Sequence, residues 1–337
     1  MMKKAMYAFV VFLLLGIFFS CEKDDDTTLD TNGPNVVSNI QYQFKDSSVV
    51  INWVLPSDAD YEKLAIELSL LSQPENKQTI EVTKEFNGVE ISGLQNFVDY
   101  LITFTAYDNS SNPSEKLMDT IMTEVFPITI SGKEIENGIY STLMDNNQDD
   151  IDEEYSHEFY STDSIKTNSF NLDTSLTEPM PITLYGTWTR KNDSLQIKYT
   201  KLEVQGSVMD YDATDIYENA FMYTDNEKTY YYAPALIKTE GNNNSIIGKY
   251  SSTQRSYMVN QEGGYFENKI TIELIVKKDG TWTQTTTSEM PDIVQPIEEN
   301  TNGVWTEQDI RDGLFELITF NSKTYIKSNT SILYEKE

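Results

Sequence analysis

Apolar and polar residues alternate along most of the chain from residue 35 onwards. Between residues 35 and 126, seven short alternating segments are separated by turns that contain Gly, Pro, Asn or Asp; two of them are VVSNIQYQF and VDYLITFTAYD. A period of two places successive side chains on opposite faces of a β-strand. Seven such strands at this spacing predict a β-sandwich over residues 35–126.

The same alternation continues to the end of the chain, so residues 127–337 are also predicted to be rich in β-strands. PITLYGTWTRK and NKITIELIV are two of the alternating segments. No long helical period interrupts them, although EQDIRDGLFEL fits either one helical turn or a turn into a strand. The expected fold class is therefore all-β, with an N-terminal sandwich followed by tandem small β-barrel or sandwich domains.

Short motifs recur in this C-terminal region. The matched pairs are Gly138-Ile-Tyr-Ser with Gly248-Lys-Tyr-Ser, Gly186-Thr-Trp-Thr with Gly280-Thr-Trp-Thr, and Asn226-Glu-Lys-Thr-Tyr with Asn321-Ser-Lys-Thr-Tyr. A rival register pairs GTWTRKNDSLQI with GVWTEQDIRDGLFEL instead. The recurrence predicts two repeat units, residues 127–241 and residues 242–337. Chance matches between Gly-aromatic turns are the alternative.

Two resemblances sharpen the predicted fold. Trp53 lies in the second predicted strand, and Leu94 precedes Tyr100 by the spacing of a tyrosine corner. With the strand VDYLITFTAYD, these residues resemble a fibronectin type III domain covering residues 35–126. The units that begin Gly-x-aromatic and continue with Gly-x-Trp and Leu-x-Ile strands are similar to lipocalin-like β-domains of bacterial lipoproteins. Both resemblances imply binding modules.

The first twenty residues have the pattern of a secretory signal peptide. Two lysines precede an apolar stretch, and the small residue Ser20 stands before Cys21, the only cysteine of the chain. Residues 1–20 resemble a bacterial lipoprotein signal peptide, although Phe18 and Phe19 stand where that family prefers Leu and then Ala or Ser. The resemblance implies that Cys21 carries the lipid. An ordinary secretory signal with a stray cysteine is the alternative.

The residues that follow Cys21 are strongly acidic. Glu22-Lys23-Asp24-Asp25-Asp26 resembles a lipoprotein export signal that directs proteins to the outer face of the outer membrane. Residues 21–34 contain too little apolar surface to fold alone, so a flexible acidic tether is expected. The predicted location is the outer membrane, with a lipid anchor and the protein facing the cell exterior.

The net charge limits the classes of partner. The chain has 25 basic and 54 acidic residues, a net charge of −29. Such a surface repels phosphate backbones, so nucleic acid is not an expected partner. Cations, basic surfaces and neutral ligands such as glycans remain compatible with this charge, which also favours solubility.

Two groups of acidic residues are candidate ion sites. Asp145, Asn147 and Asp149 have the spacing of a calcium loop, and Asp152 could complete it. The match departs from an EF-hand because Asp150 replaces the usual glycine. Calcium is therefore a possible cofactor, and the predicted function requires none. The second group could bind a cation or a sugar, and a solvated loop is the alternative interpretation. Its members are Asp210, Asp212, Asp215 and Glu218.

Aromatic residues are the remaining binding candidates. Trp188, Trp282, Trp305 and Tyr231 could stack on sugar rings, with core packing as the alternative. His157 is the only histidine, and neither GxSxG nor HExxH accompanies it, so a structural role is expected. Catalysis by two carboxylates stays open from the residue inventory alone.

The sequence therefore predicts a lipid-anchored extracytoplasmic binding or adhesion protein without catalysis. Its ligand is expected to be a glycan or a protein. The alternatives are a carboxylate-based glycan-active enzyme and a structural subunit of the cell envelope.

Overall fold

The computed structural model of this chain describes residues 30–144, 153–171, 180–259, 265–290, 295–328 and 330–337. Cys21 and the rest of the chain up to residue 29 lie outside the described residues. The predicted calcium ligands Asp145, Asn147, Asp149 and Asp152 also lie outside them. Lipid attachment and calcium binding at these positions therefore stay predictions. Within the described ranges, no helix has the length and apolar character needed to cross a membrane.

The described chain is almost entirely β-structure, which confirms the prediction of an all-β fold. Seven strands lie where the alternation between residues 35 and 126 predicted them: β1 (Ser38–Lys45), β2 (Ser48–Val54), β3 (Tyr61–Leu70), β4 (Gln78–Thr83), β5 (Gly88–Ser92), β6 (Asp99–Asp108) and β7 (Leu117–Met122). They form a three-stranded sheet of order β1-β2-β5 and a four-stranded sheet of order β4-β3-β6-β7.

The chain divides into two compact units. The described residues of the first are 30–41, 52–89 and 100–120. Its centre is the antiparallel pair β3 and β6, in which Ile66 lies opposite Phe104 and neither side chain is exposed. Trp53 and Tyr100, two of the residues that support the fibronectin type III resemblance, are also buried.

The second unit contains residues 42–51, 90–99 and 121–337. Seventeen further strands lie in its C-terminal part: β8 (Thr129–Lys133), β9 (Gly138–Met144), β10 (Glu153–Phe159), β11 (Ser164–Asn171), β12 (Met180–Lys191), β13 (Ser194–Val204), β14 (Ser207–Tyr217), β15 (Phe221–Asp225), β16 (Lys228–Tyr232), β17 (Leu236–Glu240), β18 (Gly248–Val259), β19 (Tyr265–Val276), β20 (Thr281–Glu289), β21 (Ile297–Val304), β22 (Glu316–Phe320), β23 (Lys323–Lys327) and β24 (Tyr334–Lys336). One short helix, α1, spans Glu307–Arg311.

These strands pair into a closed barrel. The ring runs β9-β10-β11-β12-β13-β14-β18-β17-β23-β22-β8-β15-β16-β24 and returns to β9. Strands β19, β20 and β21 extend from β18 in order. The ring thus takes strands from both predicted segments, 127–241 and 242–337.

Two of the repeated motifs occupy equivalent places in the barrel. Tyr140 near the start of β9 and Tyr250 near the start of β18 are fully buried. Each hydroxyl donates a hydrogen bond to the carbonyl oxygen four residues earlier, at 3.0 Å for Glu136 and 2.8 Å for Ile246. The hairpins β15-β16 and β22-β23 both turn through two residues with positive φ, as a tight two-residue hairpin requires.

The tryptophan motifs follow the rival register. The backbone N–H of Trp188 donates to the backbone carbonyl of Asp163, and the backbone N–H of Trp305 donates to the backbone carbonyl of Gly280, both at 2.8 Å. Asp163 and Gly280 have positive φ and immediately precede β11 and β20. Gly280 therefore corresponds to Asp163. The register that matched it with Gly186 is wrong because the two tetrapeptides lie at different points of the strand sequence.

The two halves of the barrel, one from each predicted repeat unit, differ in one place. This place lies between the strand of the tryptophan motif (β12 or β21) and the hairpin with two positive φ residues (β15-β16 or β22-β23). The first half inserts β13 and β14 there. The second half has only α1, which begins after Thr306 with a capping box: the Thr306 hydroxyl accepts from the N–H of Asp309, and the Thr306 N–H donates to the Asp309 carboxylate. The inserted hairpin β13-β14 carries three of the polar residues of the pocket described next: Tyr199, Asp215 and Tyr217.

Candidate functional site

A pocket of about 350 Å³ lies in the first half of the barrel. Strand alternation brings its residues together: Ala213, Asp215 and Tyr217 share one face of β14, and Ile197 and Tyr199 share one face of β13. Strands β10, β11, β12 and β24 supply the other walls. The polar side chains that line it are Tyr155, His157, Thr167, Asn168, Ser169, Tyr199, Asp215, Tyr217 and Tyr334.

A buried hydrogen-bond chain forms one wall of the pocket. His157 Nδ1 and Thr167 Oγ1 are 2.9 Å apart, and Thr167 Oγ1 is 3.2 Å from the hydroxyl of Tyr199. Burial lowers the pKa of His157 to about 4, because desolvation disfavours the imidazolium. The imidazole is therefore neutral at neutral pH. Its ring packs 4.9 Å from the ring of Tyr334, between centroids.

Asp215 contributes the only carboxylate among the ten described residues that line the pocket, and none of the ten is Lys or Arg. Burial raises the pKa of Asp215, and a hydrogen bond with Ser256 on β18 opposes this effect. Asp215 takes part in none of the ion pairs found in the described part of the chain. Burial, followed by repulsion from Asp215, raises the pKa values of Tyr199 and Tyr217. The site thus holds an acid without a basic partner.

Tyr231 lies behind this pocket in the core. Its side chain is 1% exposed, and its hydroxyl has no hydrogen-bond partner among the described residues. The ring packs 5.8 Å from His157 and 5.6 Å from Tyr334, between centroids. Burial raises the pKa of this phenol well above its ordinary value, and the neighbouring Tyr334 adds to the effect.

Burial of three of the four aromatic candidates corrects the prediction that these three stack on a glycan. Tyr231, Trp282 and Trp305 are core residues, with Trp282 and Trp305 packed in the second half of the barrel. Trp188 is half-buried and meets the ring of Phe159 edge-on, 5.2 Å between centroids. Stacking requires a ring face that a ligand can reach. Tyr231, Trp282 and Trp305 offer none, because they are buried and do not line this pocket.

The acidic group around β14 separates in the structure. Asp210 is exposed and pairs with Lys201 at 3.3 Å, and Glu218 lies 3.6 Å from Arg255. Asp215 alone of the group lines the pocket. Sequence analysis missed the tyrosines and Thr167 beside it. The period of two along β14 could have found Tyr217, since it lies two residues from Asp215 and shares its face.

Three carboxylates meet in the first unit. The carboxylate oxygens of Asp30, Asp60 and Asp108 lie within 4.8 Å of one another. Asp108 already accepts hydrogen bonds from the N–H groups of Ser110 and Asn112 and from the Asn112 side chain. Burial opposes ionisation of Asp108, but these hydrogen bonds outweigh it and lower the pKa. The geometry is compatible with a hard cation.

A second buried charge lies in the other half of the barrel. Lys238 donates hydrogen bonds to the carbonyl of Ser245 and, at 3.1 Å, to the hydroxyl of Tyr250. Burial lowers the pKa of Lys238 to about 8, and the charge of Glu124 opposes this effect. Glu124 itself accepts from the Ser245 hydroxyl. These polar groups satisfy one another, so the cluster stabilises the barrel without presenting a free group to a ligand.

Comparison with known proteins gives matches among solved structures but none among family models or curated proteins. Among solved structures, the chain is similar to the fn3 domain of human contactin 1, with 14% identity and a TM-score of 0.26 over 28% of this chain and 82% of that one. It is also similar to the FN1–FN3 domains of chicken CNTN1, with 10% identity and a TM-score of 0.24 over 80% of this chain and 99% of that one.

A third similar structure is the spore cortex lytic enzyme SleM of Clostridium perfringens, with 14% identity and a TM-score of 0.24 over 27% of this chain and 29% of that one. The two contactin structures are fibronectin type III domains, the family that residues 35–126 resemble. Similarities at these TM-scores carry no argument about activity. The all-β assignment rests on the strands and their order.

Proposed function

We propose that this chain is a lipid-anchored extracytoplasmic binding protein whose barrel takes up a small ligand in the pocket beside Asp215. The observation that carries the proposal is a half-buried carboxylate that lines a pocket and has no Lys or Arg partner among the described lining residues. A desolvated carboxylate and a buried unpaired phenol both cost folding free energy. Proteins keep such local costs where a site serves a function.

The pocket chemistry favours binding over hydrolysis. Glycoside hydrolysis uses a pair of carboxyl groups, whereas the described lining offers Asp215 alone. The imidazole of His157, with its pKa lowered by burial, is a weak general base. These features support a binding role for the barrel, with a glycan-active enzyme as the alternative.

The proposed location rests on the N-terminal sequence. Cys21 would carry the lipid and residues 22–34 would form the tether. Along the chain, the fibronectin type III-like region of residues 35–126 then separates the anchor from the barrel. This order suits a protein whose binding domain acts outside the membrane that anchors it.

A substitution that blocks the pocket with a larger side chain tests the proposal directly. The Cys21→Ser chain, free of lipid, is screened by thermal shift and calorimetry against neutral sugars, amines and short peptides. Leu184→Trp places a large side chain into the pocket wall, because Leu184 lines the pocket. Val208→Trp on the exposed surface of β14 is the control.

We expect at least one ligand to bind the parent chain and Val208→Trp equally, and to lose affinity for Leu184→Trp. Equal binding to all three chains, or no binding of any ligand class, would contradict the proposal. Turnover of an added polysaccharide would favour the enzyme instead.

A further inference from the structure

Building on the proposed function, we propose that the ligand of the barrel pocket is a small organic cation, an alkylammonium or quaternary ammonium group held between the Asp215 carboxylate and the surrounding tyrosine rings. The juxtaposition of one unpaired carboxylate with several aromatic side chains in one pocket carries this inference.

The carboxylate supplies the charge that a cation needs. Asp215 is half-buried, and its one described stabilising contact is the hydrogen bond with Ser256. A buried carboxylate gains most from a partner of opposite charge, because its own hydration has been lost. No Lys or Arg in the described lining fills that role. The ligand is therefore expected to bring the positive charge.

The aromatic walls suit the same ligand. Tyr199, Tyr217 and Tyr334 line the pocket with Asp215. The faces of tyrosine rings attract cations, and walls of this kind recognise alkylated ammonium groups that have few hydrogen bonds to donate. His157 is neutral at physiological pH because burial lowers its pKa to about 4, so it does not repel a cation.

Other ligand classes fit less well. A hard metal ion such as calcium takes roughly six to eight oxygen ligands, whereas the described lining has a single carboxylate and several bulky rings. An anion would meet Asp215 without a balancing base. A neutral sugar would leave the buried charge unpaired. The net charge of −29 also raises the local concentration of cations around the protein.

A pair of nearly isosteric probes isolates the charge. Choline and its neutral analogue 3,3-dimethyl-1-butanol have almost the same shape, and tetramethylammonium and a linear diamine extend the cation series. Calorimetry uses the Cys21→Ser chain, its Asp215→Asn variant, and Asp210→Asn as the matched control. Asp210 lies on the same strand and is exposed.

We expect at least one cation to bind, the neutral analogue to bind about tenfold more weakly or worse, and Asp215→Asn to lose about tenfold or more in affinity. Asp210→Asn should bind as the parent does. The Asp215→Asn chain should be at least as stable as the parent at neutral pH, since it removes a buried charge, and its urea midpoint verifies folding.

The inference fails if no cation binds, if the neutral analogue binds as well as choline, or if Asp215→Asn leaves the affinity unchanged. Failure here differs from failure of the binding function. A neutral sugar that binds the parent and is excluded by Leu184→Trp would overturn the cation inference and leave the pocket as a binding site.

Discussion

Acidification should destabilise the barrel through its single histidine. Burial lowers the pKa of His157 from 6.5 to about 4. In the unfolded chain the same imidazole titrates near its ordinary value of about 6.5. Between these two pH values the unfolded state binds a proton that the folded state does not. The free energy of unfolding therefore falls as the pH drops from about 6.5 towards about 4.

The size of the effect follows from the two pKa values. They differ by about 2.5, and each pKa unit corresponds to about 1.4 kcal/mol. The His157 contribution to the free energy of unfolding is thus complete above pH ~6.5 and is lower by about 3 kcal/mol at pH ~4. Asp215 and Glu124 act in the opposite direction, because their pKa values are raised and ionisation at higher pH costs stability. A variant without the imidazole is needed to isolate His157.

The assay compares the parent with His157→Gln, which keeps a hydrogen-bonding group near Thr167 but does not titrate. Both chains carry Trp53→Phe, so that the three remaining tryptophans, all in the barrel, report its unfolding in urea. The difference in unfolding free energy between the two chains should change by about 3 kcal/mol between pH ~7 and pH ~4. Parallel pH profiles would refute the reasoning. So would an NMR titration in which the one imidazole of the folded protein has a pKa near 6.5.

Four further predictions concern packing, the anchor and calcium. Tyr250→Phe removes the hydrogen bond to the Ile246 carbonyl and the one from Lys238, and should lower the free energy of unfolding by about 2 kcal/mol; an unchanged urea midpoint would contradict this. Gly303→Ala places a Cβ 2.6 Å from the Trp282 ring and should cost about 1–3 kcal/mol, measured in the same way. Cys21→Ser should abolish labelling of cells with radioactive palmitate, and equal labelling of both chains would exclude the anchor. Millimolar calcium should give binding heat that is lost when alanine replaces the predicted ligands Asp145, Asn147, Asp149 and Asp152.

Alternation of apolar and polar residues was sufficient to predict the β-strands. The seven predicted segments between residues 35 and 126 became β1 to β7 because a strand with one buried face needs a period of two, a property visible in the sequence itself. The Asn-x-Lys-Thr-Tyr motifs also recur at equivalent positions, since a tight hairpin needs residues that adopt positive φ. The Gly-x-Tyr motifs recur because each buried tyrosine hydroxyl donates to the carbonyl four residues earlier.

The register of the tryptophan repeat required the tertiary structure. The tetrapeptide Gly186-Thr-Trp-Thr is identical in sequence to Gly280-Thr-Trp-Thr, whereas Gly303-Val-Trp-Thr differs from it at one position. The hydrogen bonds of Trp188 and Trp305 nevertheless pair Asp163 with Gly280. Several residues can adopt the positive φ that this turn needs, so equivalent turns do not require equal sequences.

The sequence by itself determined the strands, the acidic charge and the N-terminal pattern that predicts a lipid anchor, because each depends on residues close together in the chain. Only the tertiary structure decided which residues form the pocket. His157, Tyr199, Asp215 and Tyr334 come from four different strands, and their convergence depends on how the barrel closes. It also decided that Tyr231, Trp282 and Trp305 are core residues, since burial depends on what packs against each side of a strand.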